Sequence, residues 1–366
     1  MNPLRVSLGA VAFGALGLAG CIFGVITDPP AFWQAWLCSY LFWLGVPLAG
    51  ITLVLVHDLS GGDWMGTARP VLGAAVATMP VASLAGIAAF VGIDSLYAWT
   101  HPAPGLSNVF YLNETDFFIR YGVYVVVWNL LAGFALWGPR EGRLPIPPSL
   151  SWISALGLIA LAFSTSFAAI DWILSLQPTF WSSIFPYTQA ASWFNTGMAL
   201  VLLTITVFGW PALQRRAHMV DLAQILLATT IFWAYVEFMQ FLIIWEENLK
   251  TEIPWYLKQL NSDWHPAIYV SAGLGFVLPF LLLLWAPSKR NRVVVGACCA
   301  SILISRLANT WLLVMPESEA PTPFWLDVAA LLALGGVIVL LFTCALRYAH
   351  RLVPARRAAM WRAEHG

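Results

Sequence analysis

The sequence predicts an all-α integral membrane protein with ten transmembrane helices and both termini in the cytoplasm. Hydrophobic residues form 60% of the 366 and charged residues 10%, with a mean hydropathy of +0.77, values outside the range of water-soluble domains. Apolar windows of roughly 20 residues, enough to cross a bilayer core of about 30 Å, recur along the whole chain. They are continuous rather than alternating, which excludes a barrel of period-two strands.

The ten windows fall near 6–26, 36–56, 70–93, 117–137, 151–174, 189–209, 222–245, 265–286, 293–315 and 325–346. In the first, Leu18-Ala19-Gly20-Cys21 resembles a bacterial lipoprotein cleavage box, and cutting there would leave nine spans and a lipidated Cys21. The apolar run continues through Ile22, Phe23, Val25 and Ile26, so this window reads as an ordinary span. The second ends in "LVLVHDLSGGDW", where His57 and Asp58 precede a Gly61-Gly62 turn. That titratable pair reads either as a proton uptake point or as polar punctuation of a helix end. The connecting loops are short, so residues 1–366 form a single polytopic domain.

Orientation follows from the cations. Arg5, Arg69, Arg140, Arg143, Arg215, Arg216, Lys289, Arg290, Arg292, Arg347, Arg351, Arg356, Arg357 and Arg362 fall on the side shared by the termini, and only Lys250 and Lys258 on the other. Cytoplasmic loops carry the Lys and Arg excess, so both termini are expected inside.

The remaining two arginines and two carboxylates lie within spans, where polar groups are costly and usually functional. Arg120, in "FFIRYGVY", is near the outer start of the fourth window, and Asp171, in "FAAIDWILSLQP", near the outer end of the fifth. Glu237 precedes Trp245 by eight residues, which at 1.5 Å per residue sets it about 12 Å below the outer interface. Arg306, in "ISRLANTW", is deeper and shares a face with Asn309 and Thr310.

Helical spacing turns these groups toward protein. Ser164, Ala168, Asp171 and Ser175 form one small or polar stripe. Thr230, Ala234, Glu237 and Gln240 form a second, and Gln189, Ser192, Asn195 and Thr196 a third. Small residues permit close helix approach and polar ones bond across it. Asp171, Glu237 and Arg120 therefore read as part of a proton path or quinone pocket, or else as internal ion pairs that lock packing.

Cofactor ligands are scarce. All six histidines fall in loops, tails or helix ends, so no pair can sandwich a haem inside the bilayer. The five cysteines include no CxxC or CxxCH and read as small buried hydrophobes. No phosphate loop or dinucleotide fingerprint is present. No cofactor is expected on this chain, and any metal centres nearby belong to partners. Between the seventh and eighth windows "WEENLKTEIPWYLKQL" (245–260) is charged, aromatic and amphipathic, and is expected on the membrane surface or against a partner.

Four segments carry a family resemblance: "FAAIDWILSLQPTFWSSIF" (167–185), "QFLIIWEENLKTEIPWYLKQL" (240–260), "HDLSGGDW" (57–64) and "PFWLDVAALLALGG" (323–336). They resemble the ActF family, a membrane subunit of bacterial alternative complex III, a quinol:cytochrome c or quinol:acceptor oxidoreductase related to NrfD/PsrC-type subunits. The resemblance covers essentially the whole chain. It implies two four-helix bundles plus two further helices in a multi-pass protein of the bacterial inner membrane. The implied partners are an iron-sulfur subunit, a multihaem cytochrome c and a second, NrfD-like subunit that oxidises quinol, with haem c and iron-sulfur clusters held by them. For this chain it implies a structural role, with proton conduction or quinone contact. It carries Asp171 over as the "IDW" aspartate and His57 as the "HDLSGG" histidine. The "WEEN" turn, with Glu246 and Glu247, is more acidic than the family pattern. Membrane lipid is expected as a further partner and nucleic acid is not. Two other classes fit ten spans with internal charge: a proton-coupled secondary transporter, whose site would lie near the midplane, and a purely structural scaffold.

Overall fold

The computed structural model describes residues 3–62, 64–65, 68–101, 110–137, 148–208, 216–317 and 322–365. Among them are ten helical segments long and apolar enough to cross a membrane. In order they are α1 (Val6–Thr27), α2 (Pro29–Ser60), α3 (Arg69–Val91), α4 (Glu114–Leu136), α5 (Ser151–Leu176), α6 (Phe185–Phe208), α7 (His218–Glu246), α8 (Pro266–Leu284), α9 (Arg292–Glu317) and α10 (Phe324–Tyr348). The helix of α10 continues to His365. No strand occurs among the described residues, and the protein is a multi-pass membrane protein. An even number of crossings brings both chain ends to one face; the opposite face is termed distal. Of the orienting arginines, Arg140, Arg143 and Arg215 lie outside the described residues, as do the side chains of Arg5, Arg216, Arg351, Arg356, Arg357 and Arg362.

Helices α2 to α5 pack as one four-helix bundle and α6 to α9 as a second, joined mainly where α2 crosses α6. Small residues make that crossing close: a Cβ on Gly197 would overlap Ala49, and one on Gly45 would stand 3.0 Å from the Trp193 carbonyl. The Trp193 indole then donates 2.8 Å to the Leu41 carbonyl, a helix-to-helix bond in the interior of the kind lipid-embedded bundles use.

The outermost pair is α1 against α10. A stripe of glycines on α1 sets its distance: a Cβ on Gly17 would overlap the Ala333 backbone, and one on Gly336 the Gly14 backbone. The other face of α1 exposes Leu8, Leu16 and Ile26, as lipid contact demands. Cys21 is buried in the α1–α2–α10 cluster. Cys38, Cys298 and Cys299 are buried as well, while Cys344 is exposed.

Local chemistry explains the helix ends. Asp28 caps α2, accepting from the Ala31 amide at 3.3 Å ahead of Pro29 and Pro30. Gly61 and Gly62 end it with φ of 66° and 93°, conformations that favour glycine. A turn at Ala77–Thr78 divides α3 before Pro80, because proline supplies no amide to the preceding turn. Inside α8, Gly273–Val277 is a π-helical turn ahead of Pro279, an interruption unannounced by the apolar pattern.

The amphipathic segment after α7 folds back on its own chain. Its helix Ile253–Asn261 buries Trp255, which stacks on Phe180 with centroids 4.4 Å apart. Lys258 bonds Glu317 at 2.7 Å. The expectation of a surface or partner contact is thus refined: its apolar side packs on the distal ends of the bundles.

Gly17→Val is expected to lower the melting temperature of the detergent-purified protein, an overpacking cost of about 1–3 kcal/mol. Gly9→Ala, where no neighbouring helix comes within 4 Å of a new Cβ, is expected not to lower it, alanine being the better helix former.

Candidate functional site

Asp171 lies near the distal end of bundle one with its carboxylate 1% exposed. Its helix puts it there because the stripe expected to face protein does so: Ser164, Ala168, Asp171 and Ser175 are all buried. From α4, the Arg120 Nε donates to Asp171 Oδ2 at 2.9 Å, and one turn on the Tyr124 hydroxyl donates to the same oxygen at 2.7 Å. Charge-assisted bonds of this length are stronger than neutral ones. Asp171 Oδ1 has no hydrogen-bond partner. The Ser175 hydroxyl, one turn on, donates to the Asp171 carbonyl.

The centre is walled by rings. Trp172, fully buried, meets Tyr40, Tyr121, Tyr124 and Trp128 with centroids 5.3 to 5.9 Å apart. The Tyr97 hydroxyl donates to the Trp172 carbonyl at 3.1 Å. On the distal side the Arg120 guanidinium sits over the Tyr111 ring at 4.0 Å, and its side chain retains 20% exposure. Burial, then the Asp171 charge, pushes the Tyr111 hydroxyl well above the usual phenol value. Arg120 and Tyr111 thus lie on the distal side of the buried carboxylate.

Bundle two holds the other expected pair in a different arrangement. Arg306, 1% exposed, lies on the Trp233 ring at 3.2 Å. Its Nη2 donates to Ser305 Oγ at 2.9 Å, but Nε and Nη1 have no partner. Glu237, one turn after Trp233 on α7, interacts with Arg306 electrostatically without forming an ion pair at contact distance. Gly275, in the π-helical turn of α8, supplies the space: a Cβ there would overlap Arg306 Nη2 and Ser305 Oγ. Nearby, Asn195 donates to Thr229 and Thr230 at 3.1 Å, and Gln240 donates to the Tyr256 hydroxyl at 3.1 Å.

The pair at the end of α2 stands apart from both centres. His57 Nε2 lies 3.0 Å from the Gly62 carbonyl, with its ring against Trp64 at 5.3 Å. Asp58 faces Arg69 at 3.8 Å. These groups border the terminal face, so the six expected residues form three separate clusters.

Sequence reasoning missed three participants. Tyr124 and Tyr111 complete the Asp171 centre from α4 and the loop before it. Asp327, in α10, is 1% exposed with neither carboxylate oxygen bonded, and it interacts electrostatically with Cys38 of α2. Its signal was present: an acidic residue entering an apolar run, as at Asp171.

Among the described residues no three His, Cys, Asp or Glu side chains come together in a way that would hold a metal ion. No known protein-family model matches the chain, and no curated protein matches it.

Arg120→Ala leaves the Asp171 carboxylate buried and unpaired, and is expected to cost about 3–5 kcal/mol in reversible unfolding from mixed micelles. Asp171→Asn is expected to cost less, because the orphaned guanidinium keeps access to solvent. Equal losses would contradict this burial asymmetry.

Proposed function

We propose that this chain is the non-redox membrane subunit of a quinol:acceptor oxidoreductase of the alternative complex III type, and that its Asp171 centre handles protons. The observation that carries the proton role is the Arg120–Asp171–Tyr124 cluster: a buried carboxylate with one oxygen bonded twice and the other outside those bonds, while the Tyr111 hydroxyl interacts with the same carboxylate. The oxygen outside those bonds keeps the lone pairs at which a carboxylate accepts a hydrogen bond or a proton. The complex itself is supported by the motif resemblance in the segments containing Asp171, His57, Trp245 and Asp327.

The Lys and Arg asymmetry would place the distal face outside the cytoplasmic membrane. Quinol oxidised by a partner near that face must lose protons there, and the Asp171 centre with Tyr111 and Arg120 lies on the way out. Haem c and iron-sulfur clusters would then sit in the partner subunits. His57 and Asp58, on the terminal face, would serve as an uptake point if protons cross the whole chain.

Purification of the tagged protein from its native membranes in mild detergent tests the assignment. The expected preparation contains stoichiometric c-type haem, iron and co-purifying subunits. A colourless single chain would overturn it and favour the transporter reading, for which the interrupted α8 beside Arg306 is the supporting feature.

A further inference from the structure

At the terminal face the two bundles part around a cleft of about 500 Å³, lined by Trp64 beyond the end of α2 and by Asp221, Gln224, Ile225 and Ala228 at the start of α7. None of these five side chains is cationic, and one is a carboxylate. The Trp64 indole is fixed from behind: its Nε1 donates to the Gly61 carbonyl at 3.1 Å, and the His57 ring packs on it at 5.3 Å. A carboxylate, an amide and an indole ring together suit an organic cation, and the Asp221 charge opposes an anion.

Deeper along α7 the surface becomes an apolar groove. Asp221, Ile225, Ala228 and Phe232 follow one another at helical spacing on one stripe. Phe232 lines a second opening of about 260 Å³ between the bundles, with Leu48 and Thr52 of α2 and Ala162 of α5. Because α2 runs antiparallel to α7, Trp64 meets the first residues of the stripe, whereas Thr52 and Leu48 meet the last. Ala162, Ala228 and Phe232 are exposed, so the groove opens sideways to lipid. From Asp221 to Phe232 the stripe runs about 16 Å at 1.5 Å per residue, the depth of one leaflet in a core of about 30 Å. A single helical turn, about 10 Å across with a pitch of about 5.4 Å, occupies roughly 420 Å³, so the groove admits an acyl chain and not a partner helix.

We infer that cleft and groove together bind one aminophospholipid from the leaflet on the terminal face, its primary ammonium against Asp221, Gln224 and Trp64 and one acyl chain between the bundles. Lipid meets every span; this molecule differs in being held at one place and selected by its headgroup. A primary ammonium donates N–H bonds to the Asp221 carboxylate and the Gln224 carbonyl, bonds that a trimethylammonium headgroup cannot form. An anionic headgroup would meet the like charge of Asp221. Trp193, whose indole joins α6 to α2, lines the same groove, so the bound chain braces the bundles beside their crossing. The inference rests on this groove alone and stands whether or not the chain belongs to a respiratory complex.

The test is native mass spectrometry of the purified full chain, titrated with phosphatidylethanolamine, phosphatidylcholine or phosphatidylglycerol of identical acyl chains. One phosphatidylethanolamine is expected to be retained roughly tenfold more tightly than either of the others, the worth of one charge-assisted hydrogen bond. Asp221→Asn is expected to bring the affinities for phosphatidylethanolamine and phosphatidylcholine together. Ala162→Phe, which fills the groove from an exposed position, is expected to weaken both alike. Helix content and melting temperature show whether each variant folds; if Ala162→Phe does not, Asp221→Asn decides alone. Equal retention of the three lipids, a preference that survives Asp221→Asn in the folded protein, or binding indifferent to Ala162→Phe would overturn the proposal. Displacement by soluble ethanolamine at the lipid's own concentration would overturn it too, by assigning the cleft to an ammonium that needs no acyl chain.

Discussion

Inside a bilayer core no water is available to satisfy a polar group, so each must find its partner within the protein. The carboxylate of Asp171 shows what that constraint builds. Arg120 and Tyr124 reach it from one helix, Tyr97 secures the next carbonyl from the distal loop, and aromatic rings seal the remaining sides. The ion pair joins α4 to α5 and fixes their register. Because the pair needs both partners, α3, α4 and α5 must meet with the tight packing that Gly86 permits beside Tyr40 and Tyr121.

The second bundle meets the same constraint incompletely. Its arginine is stacked on an indole and bonded to one serine, and a glycine within a π-helical turn leaves room for it where a Cβ would collide. Such turns are rare and concentrate at functional sites. The two bundles thus differ in kind: one holds a charge pair in contact, the other donors without acceptors. Asp327, between α2 and α10, adds a third buried carboxyl outside both bundles' centres.

The ten spans were legible because apolar windows of bilayer length are the least ambiguous pattern a sequence carries, and the stripe through Ser164, Ala168 and Asp171 faces inward as its spacing requires. Partnership across helices was less legible. Tyr124 and Tyr111 sit in segments whose tyrosines look like ordinary interfacial aromatics, and only the fold brings them to Asp171. The turn in α8 was hidden because Pro279 and its glycines are common in membrane helices. The glycine faces of α1 and α10 have the small-residue spacing of close packing but say nothing of which helix they meet. Amphipathicity of the segment around Trp255 was plain, whereas its docking on Phe180 depends on a loop far away in sequence.

Proton release per quinol oxidised, measured in proteoliposomes of the proposed complex with Asp171 or with Asn at that position, tests the proposed role most directly. A fall in release with Asp171→Asn, in a complex that assembles and binds its partners normally, is the expected result. Unchanged assembly, quinol oxidation and proton release would contradict it and reduce the Arg120–Asp171 pair to a packing device.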